Sequence, residues 1–308
     1  MSIIYNIFSK LVKPLVGTGI GNFKPAYSLY QRIIASRMFK NSIPTNIVTA
    51  DGFQIEILSK EHKEHIEDIS TELLFKGVHE PMTTKIFKQI LKPGDIVVDV
   101  GANIGYFTLL SSKLVGYRGI VYAFEPDANN MRILLRNAEI NHFENIRPYQ
   151  VAVSNGIGRA TFYTSSKECA RHSLIKTKEH DNNTVVEVDK IDNIVTGNIK
   201  LLKTDTEGNE LAVLQGAEKI ITNSEDIVLI VEINFEALKA CDTQLGTIWR
   251  YLVKDLGMKY IYLLNDYKNT IKQISESAAI HFALDSLKPR TKKELGYNLL
   301  CSRKEIQL

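Results

Sequence analysis

Short apolar runs alternate along the chain with longer segments in which apolar residues recur at helical spacing. The runs Ile96–Val100 and Val121–Phe124 have the length of strands, and their mostly apolar character is typical of strands buried on both faces. Helical spacing follows each run, at 106–110 and at 128–141. This repeated order of strand and helix predicts a doubly wound α/β sheet whose strands are mostly parallel.

Two parts of the chain are predicted to add antiparallel structure to that sheet. The sequence VTADGFQIEIL, residues 48–58, indicates a hairpin or an edge strand around its Asp-Gly pair. Residues 158–164 and 184–188 also alternate between polar and apolar positions, and they flank the polar loop 165–183. Because loops above the strand ends build the sites of doubly wound enzymes, we expect this loop to form a lid.

A glycine turn after the first strand and an acidic residue after the second strand predict a nucleoside-binding crevice. Gly101 and Gly105 leave the main chain open at the helix start, so that a ligand can lie against it. Asn103 stands where a dinucleotide fingerprint has its second glycine, which disfavours a pyrophosphate. Glu125 follows about twenty residues later and offers two acceptor oxygens to the hydroxyls of a ribose. The alternative is an ordinary sheet whose turn and carboxylate bind nothing.

Six sequence blocks occur in an order typical of one enzyme family. They are GVHEP (77–81), DVGANIGYFTLL (99–110), YAFEPD (122–127), VAVSN (151–155), HSL (172–174) and KTDTEGNELAVLQGAEKII (203–221). These blocks resemble the FkbM family of S-adenosylmethionine-dependent methyltransferases, which act mostly on oxygen. The resemblance implies a Rossmann-like class I methyltransferase fold with a seven-stranded sheet, and S-adenosyl-L-methionine as cofactor. The chain departs from the family pattern at Thr204, Thr206 and His79, which bears on the acceptor pocket more than on the cofactor site.

The resemblance and the residue types together define a candidate site. The residues expected to bind the cofactor are Glu80, Asp99, Gly101, Ala102, Asn103, Gly105, Tyr106, Glu125, Pro126, Ala152 and Asp205. The residues expected to act in catalysis are Asp205, His172 and Glu207. His172 is the first candidate for the base because imidazole titrates near neutral pH, and Asp205 is the second. The alternatives are helix capping by the two carboxylates and a structural role for the histidine.

No metal site is predicted. Glu232 ends a buried strand and is expected to join Asp205 at one edge of the sheet, but two carboxylates without a histidine are a weak donor set. The pair His62 and His65 has Glu and Lys neighbours typical of a solvated helix face. The three cysteines show neither zinc-site nor disulfide spacing, which favours a reducing compartment.

Charge divides the chain unevenly. The first 50 residues carry six basic residues and no acidic one, within a net charge of +3, and are assigned to a basic helical N-terminal extension. Residues 51–308 are assigned to the methyltransferase domain, with the cofactor-binding core at about 77–235. Residues 1–13 predict a short amphipathic helix that lies on an anionic membrane surface or packs on the domain. Without an apolar run of spanning length or a secretory signal, a cytoplasmic location is expected, with peripheral contact at the inner membrane face as a variant.

Three functions remain open at this point. The first is O-methylation of a hydroxyl on a sugar or glycan, a glycolipid or a secondary metabolite, with a small-molecule or glycan acceptor. The second is an RNA methyltransferase, but no basic stripe with interleaved aromatic residues appears, so no nucleic acid is expected. The third is a non-catalytic nucleoside-binding module that recruits partners.

Overall fold

A sheet of eight strands with helices on both faces forms the centre of the structure. The computed structural model describes residues 46–49, 51–56, 69, 72–73, 77–165, 172–178, 180–241, 245–275 and 296–307. The predictions for residues 1–45, for His62 and His65, and for residues 166–171 of the expected lid lie outside the described residues. Within the described ranges, no helix has the length and apolar composition needed to cross a bilayer.

Strands and helices alternate along the chain as the hydrophobic pattern predicts. The strands are β1 (Asn46–Val48), β2 (Gln54–Glu56), β3 (Ile96–Val100), β4 (Ile120–Phe124), β5 (Ile146–Tyr149), β6 (Ala152–Val153), β7 (Gly158–Thr164), β8 (Asn182–Asp189), β9 (Leu201–Thr204), β10 (Val228–Asn234), β11 (Tyr260–Asn265), β12 (Thr270–Gln273) and β13 (Gly296–Ser302). The helices are α1 (Pro81–Ile90), α2 (Tyr106–Val115), α3 (Ala128–Ile140), α4 (Ile191–Ile194), α5 (Glu210–Gly216), α6 (Glu218–Asn223), α7 (Phe235–Ala240) and α8 (Leu245–Arg250), which continues as a π-helical turn (Tyr251–Asp255).

The main sheet has the strand order β12-β11-β13-β10-β9-β3-β4-β5. Strands β3, β4, β5, β9 and β10 are parallel, and β13 runs antiparallel between β10 and β11. The predicted doubly wound, mostly parallel sheet is confirmed, with one strand more than the seven expected because β12 pairs with β11 as an edge hairpin. After β3, the chain forms β4 and β5 on one side of this strand, and it later forms β9 and β10 on the other side. Ligands bind doubly wound sheets at such a switch point, beyond the carboxyl ends of the strands.

Apolar clusters cover both faces of the sheet. In β3, Val97 belongs to the cluster beneath α1, α2 and α3, whereas its neighbour Val98 belongs to the cluster beneath α4, α5, α6 and α8. Successive side chains of a strand point to opposite faces of the sheet. Both valines are fully buried because apolar clusters cover both faces. Burial of each such side chain contributes roughly 1.5–3 kcal/mol. The strand is therefore apolar at every position except Asp99 and shows no alternation.

Two smaller antiparallel elements flank the main sheet. Strands β1 and β2 pair antiparallel, with Ile47 opposite Ile55, which confirms the predicted hairpin. Gly52 makes its turn with φ 73°. Strands β7 and β8 pair antiparallel along their length, and β6 joins β8, forming a three-stranded sheet. The antiparallel excursion predicted at 158–188 is thus confirmed as a small sheet beside the carboxyl ends of β3, β4 and β9.

Candidate functional site

A cavity of about 280 Å³ lies at the carboxyl ends of the central strands. It is lined by every residue predicted for the site except Gly105. Two halves of this cavity differ in construction. The turn end consists of Gly101, Asn103, Glu125 and Ala152, and the carboxylate end consists of Glu80, Lys203, Asp205, Glu207 and Glu232.

The turn after β3 brings main chain against main chain. The amides of Gly101 and Ala102 both donate to the carbonyl oxygen of Phe124, at 3.0 Å, which fixes the turn to the end of β4. Gly101 has φ 78°, and a Cβ at this position would lie 1.8 Å from the carbonyl oxygen of Asp205. No side chain fits there, so glycine is required both by the dihedral angle and by the neighbouring loop.

Glu125 is held at the end of β4 by two main-chain amides. Its Oε2 accepts from the Asn103 amide and its Oε1 from the Asp127 amide, both at 2.8 Å. Burial raises the pKa of Glu125 to about 8, against the opposing effect of these hydrogen bonds. Each carboxyl oxygen has a second lone pair, so that the group can still accept from two ligand hydroxyls. Asn103 itself has φ 50° and accepts from the Ile104 amide at 2.7 Å, which stabilises the turn.

Gly105 has a packing role and does not line the cavity. Its φ is 98°, and a Cβ there would lie 3.0 Å from Leu134 Cγ, so that this glycine allows α2 to approach α3. Tyr106 lines the cavity with its ring, while its hydroxyl lies 3.2 Å from Thr84 Oγ1 in α1. Pro126 and Ala152 line the turn end as predicted.

Glu80 points into the cavity and does not cap α1. The proline that follows keeps it out of right-handed helical geometry, with φ 43° and ψ 76°, and its side chain makes no capping hydrogen bond. Its Oε2 accepts from Asn298 Nδ2 at 3.0 Å. Burial raises the pKa of Glu80 to about 7, opposed by the charge of Lys203. The cap of α1 is supplied by Asp266, whose Oδ1 accepts from the Met82 amide at 2.7 Å.

A row of polar side chains crosses the sheet below the carboxylate end. Asp99 lies opposite Lys203 on adjacent parallel strands, and both side chains are almost fully buried. Lys203 Nζ donates to Asp205 Oδ2 at 2.8 Å and lies 4.8 Å from the centroid of the Phe107 ring. Burial alone would lower the pKa of Lys203, but neighbouring carboxylates, foremost Asp205, outweigh burial and raise it. Lys203 thus supplies positive charge beneath a group of carboxylates.

The pKa values of the neighbouring residues Asp205 and Glu232 are shifted in opposite directions. Burial would raise the pKa of Asp205, but the Lys203 ammonium and a hydrogen bond from Glu232 hold it at about 2. Burial and then the charge of Asp205 raise the pKa of Glu232 well above its ordinary value. Asp205 is therefore the more acidic of the two neighbouring carboxyl groups, and Glu232 holds a proton more tightly.

The loop after β9 is fixed from both sides. Glu207 has φ 51°, and its Oε2 accepts from Asn234 Nδ2 at 2.6 Å. Glu210, fully buried at the start of α5, turns back so that its Oε1 accepts from the Thr206 and Gly208 amides at 3.0 and 3.1 Å. Glu210 thus accepts the hydrogen bonds of the main-chain amides before α5, the capping role considered above for Asp205 and Glu207. Asp205 and Glu207 instead line the cavity.

His172 lies at the turn end of the cavity. Its Nδ1 is 3.8 Å from Asp127 Oδ2, and its ring packs edge-on against Phe162 at a centroid distance of 6.0 Å. The next residue, Ser173, donates from its hydroxyl to the Glu207 carbonyl oxygen at 2.8 Å. The segment 172–174 therefore borders the cavity, with the histidine beside Asp127 and the serine beside the loop after β9.

Three carboxylates of the described residues are close enough to share a cation. Asp205, Glu207 and Glu232 each offer an oxygen within 4.8 Å of the others. Of the three, Asp205 has the ammonium of Lys203 and a hydrogen bond from Glu232 as partners.

Sequence reasoning missed Lys203, Asn298 and Tyr267, which lies at the cavity rim in the turn between β11 and β12. A signal existed for the first of them. A lysine inside an otherwise apolar run such as LLKT of a central strand has to find a carboxylate partner, since an unpaired buried charge is too costly. Asn298 and Tyr267 carry no comparable signal, because only strand pairing brings them to the site.

A doubly wound sheet with a glycine turn, a buried acidic residue after the second strand and a cavity at the switch point defines a nucleoside-binding α/β protein. The family follows from residues 99–261, which match the model of the Methyltransferase FkbM domain. The chain belongs to this family, as the sequence blocks predict.

Characterised relatives cover parts of the chain. The 31-O-demethyl-FK506 methyltransferase FkbM of Streptomyces tacrolimicus is 33% identical over 162 residues, which are 42% of this chain and 61% of that protein. The ribosomal protein L11 methyltransferase of Caldanaerobacter subterraneus is 32% identical over 100 residues, 31% of each chain. A crystal structure of a methyltransferase FkbM from Methylobacillus flagellatus aligns with 78% of this chain and 56% of its own, at 15% identity and a TM-score of 0.43. The chain thus spans about three fifths of the first relative and a third of the second.

S-adenosylmethionine is the cofactor of this family, and the residues of the cavity fit it. The turn end offers the buried Glu125 to a ribose and an open main chain at Gly101. The ionised Asp205 and the other side chains of the carboxylate end suit a ligand that carries a sulfonium and an ammonium group. A pyrophosphate would face Asn103 and these carboxylates, and fits poorly.

Proposed function

We propose that the protein transfers a methyl group from S-adenosylmethionine to the oxygen of a hydroxyl. The acceptor is a hydroxyl on a sugar or glycan, a glycolipid or a secondary metabolite. One observation carries the proposal: the same cavity joins a ribose-type carboxylate, Glu125, to an ionised carboxylate, Asp205, that is paired with a buried lysine. The first suits the nucleoside and the second suits the reacting end.

Positioning is the main task of the residues at the turn end. Glu125 accepts the ribose hydroxyls, and Gly101 lets the ligand lie against the main chain. The bound cofactor supplies a methyl group on a positively charged sulfur. A lone pair of the acceptor oxygen can attack the methyl carbon in line with the C–S bond. Holding the two reactants in this geometry provides most of the rate enhancement in such displacements.

Proton removal falls to Asp205 in this mechanism. As the new C–O bond forms and the C–S bond breaks, the attacking oxygen becomes strongly acidic, so that even a weakly basic carboxylate can take its proton. The proton passes to a carboxylate oxygen of Asp205, which the Lys203 ammonium at 2.8 Å keeps ionised until that step. Glu207 orients the loop, and its contact with Asn234 limits its freedom to act as the base.

His172 takes a different role in this proposal. Its position beside Asp127 and Phe162 places it with the nucleoside, so we assign it to closing the turn end over the cofactor. The base role predicted for His172 from its chemistry alone passes to Asp205, the second candidate. Loss of the histidine should then weaken cofactor binding modestly and leave the pH dependence of the chemical step unchanged.

Calorimetric titration with S-adenosylhomocysteine, beside NAD as a control, tests the cofactor part directly. We expect saturable binding of S-adenosylhomocysteine, no binding of NAD, and a strong loss of affinity in Glu125→Ala. Transfer of isotope-labelled methyl groups to hydroxyl-bearing acceptors then tests the reaction, with Asp205→Asn as the inactive control. Binding without transfer to any hydroxyl acceptor would favour the non-catalytic module, and transfer to RNA in preference to glycans would favour the nucleic-acid alternative.

A further inference from the structure

His79 is a titratable residue of the cavity that the proposed mechanism leaves unused. Its ring lines the cavity beside Glu80, and 23% of its side chain is exposed. The ring packs against Tyr106 and Phe107, at centroid distances of 5.5 and 5.8 Å. These two contacts restrict the orientation of the imidazole, so that each of its nitrogen atoms faces a defined neighbour.

Each imidazole nitrogen faces a carboxylate. Nδ1 donates to Glu72 Oε2 at 2.8 Å, and the same oxygen accepts from the Glu80 amide at 3.0 Å. Nε2 lies 3.6 Å from Glu80 Oε1, which is too long for a hydrogen bond. Glu72 does not line the cavity and fixes the imidazole from behind, whereas His79 Nε2 and Glu80 Oε1 can each bind a ligand atom.

The two carboxylates favour a positive charge on His79. An opposite charge at such short distances stabilises the charged form of a titratable group. Partial burial would lower the pKa of His79, but the hydrogen bond to Glu72 and the charges of Glu80 and Glu72 outweigh burial and raise it. A protonated imidazole donates from both nitrogens, so Nε2 is a hydrogen-bond donor to the cavity.

His79 and Glu80 thus present a donor and an acceptor of opposite charge side by side. Asn298 holds the other oxygen of Glu80, because its Nδ2 donates to Oε2 at 3.0 Å. An α-amino acid carries an ammonium and a carboxylate on the same carbon atom, so that both groups can bind such a pair at once. The methionyl part of S-adenosylmethionine is a group of this kind.

A carboxylate bound near the glycine turn could also accept from main-chain amides. The amides of residues 101–105 already donate within the protein, to oxygens of Phe124, Glu125, Asn103 and Ala102. These hydrogen bonds fix the turn. The carboxylate of the cofactor therefore needs a donor from a side chain.

The cationic side chains of the cavity differ in what they can reach. Lys203 donates to Asp205, and only 3% of its side chain is exposed. His172 lies beside Asp127 at the turn end, with the nucleoside. Among the described cationic side chains that line the cavity, His79 is therefore the one placed to meet a carboxylate at the other end.

We propose that His79 Nε2 donates to the carboxylate of the methionyl group of S-adenosylmethionine, while Glu80 Oε1 accepts from its ammonium group. Glu72 is a positioning residue, because it orients the imidazole without touching the ligand. The bound ammonium also favours the ionised form of Glu80. This inference rests on the proposed function and specifies how its cofactor is held. The resemblance predicts an effect of His79 on the acceptor pocket, whereas this geometry assigns the residue to the cofactor.

Calorimetric titration with four related ligands tests the assignment. S-adenosylhomocysteine carries both charged groups, its aminopropyl analogue lacks the carboxylate, its carboxypropyl analogue lacks the ammonium, and methylthioadenosine lacks both. The wild type should bind each of the two analogues about tenfold or more weakly than S-adenosylhomocysteine, because a charge-assisted hydrogen bond is lost. Binding of either analogue as tightly as S-adenosylhomocysteine would overturn the proposal.

Two variants assign each charged group to its residue. His79→Phe keeps a ring against Tyr106 and Phe107, and should bind S-adenosylhomocysteine no better than the aminopropyl analogue. Glu80→Gln should bind S-adenosylhomocysteine no better than the carboxypropyl analogue. Both variants should keep their affinity for methylthioadenosine within about twofold of the wild type. Full affinity for S-adenosylhomocysteine, or an equal loss for methylthioadenosine, would refute the role of the residue concerned.

Glu72→Gln tests the positioning role. The new amide can still accept from Nδ1, but it removes a charge that favours the imidazolium. Affinity for the two ligands with a carboxylate should fall about threefold to tenfold, and affinity for the aminopropyl analogue should not change. Combined with His79→Phe, the substitution should have no further effect. Equal losses for all four ligands, or additive losses in the double variant, would contradict this role.

His142→Asn is the control for loss of an imidazole. His142 is exposed and does not line the cavity, and asparagine tolerates its φ of 56°. All four affinities should stay at the wild-type values. A selective loss for ligands with a carboxylate in this variant would show that the effect is not specific to His79.

The two proposals can fail separately. If the wild type does not bind S-adenosylhomocysteine, both the proposed function and this subsite are rejected. If the wild type binds S-adenosylhomocysteine and does not distinguish it from methylthioadenosine, the cofactor assignment stands and the subsite alone is rejected.

Discussion

The turn end of the cavity is made largely of main-chain groups, whereas the carboxylate end is made of side chains from several elements. At the turn end, the amides of Asn103 and Asp127 position Glu125, and the close contact of Gly101 involves the Asp205 carbonyl. The carboxylate end draws Glu80 from the start of α1, Lys203 from β9 and Glu232 from β10. The first end depends on local backbone geometry, and the second depends on packing and charge.

This difference predicts different responses to mutation. The turn end, which is built from main-chain groups, should not accept a larger side chain, but its stability should depend little on the charges around it. A buried group of charges responds to the loss of any one member, because each neighbour then keeps its desolvation penalty without compensation. Substitutions at the two ends should therefore separate effects of shape from effects of charge.

The largest effect is expected from Gly101→Ala. The new Cβ would lie 1.8 Å from a carbonyl oxygen, at a φ of 78° that alanine rarely adopts. We expect more than about 3 kcal/mol of lost unfolding free energy, or failure to fold, measured by urea denaturation. Gly156→Ala is the control because it meets no atom within 4 Å and lies on the surface. Similar losses in both variants would show that the turn end is not restricted by shape.

Lys203→Met should cost about 3–5 kcal/mol of unfolding free energy, because it leaves the half-buried Asp205 charged without its buried ammonium partner. The double variant Lys203→Met with Asp205→Asn should recover much of this loss and remain inactive. Lys304→Met removes an exposed lysine that pairs with Asp226, and should have no measurable effect. Additive losses in the double variant would contradict a coupled pair.

Glu125→Ala should weaken S-adenosylhomocysteine binding about a hundredfold, because two hydrogen bonds between the ribose and the carboxyl group are lost. His172→Ala, at the same end, should weaken it about tenfold or less, since the ring only packs there. Calorimetry measures both affinities. Equal losses would mean that the histidine contacts the ligand as directly as the carboxylate does.

The smallest effect concerns pH. The pKa of Glu125 is raised to about 8 by burial, so the folded protein keeps a proton that the unfolded chain releases above about pH 4.5. The unfolded state therefore binds fewer protons in this window, and stability falls as pH rises from about 4.5 to 8. Between pH 6 and 7 the wild type should lose about 1 kcal/mol more than Glu125→Gln, measured by urea denaturation. Parallel pH profiles would show that Glu125 keeps its ordinary pKa when the cavity is open to water.

Much of the fold could be predicted from the sequence because its signals are local. Ile96–Val100 is apolar except at Asp99, and the glycines after it favour a turn, so the strand, the turn and α2 follow from neighbouring residues. Glu125 was predicted for the same reason, as it ends the next strand. The extra strand β12 was missed because four residues at a sheet edge carry a weak pattern.

By itself, the sequence determined the sheet class, the glycine turn, the acidic residue after β4 and the family, since each depends on spacing within one or two elements. Only the tertiary structure decided that Gly105 packs against Leu134, that His172 lies beside Asp127, and that Tyr267 reaches the rim. The opposite pKa shifts of Asp205 and Glu232 also depend on the tertiary structure. Burial and the approach of Lys203 set them, and both arise only when distant strands pair.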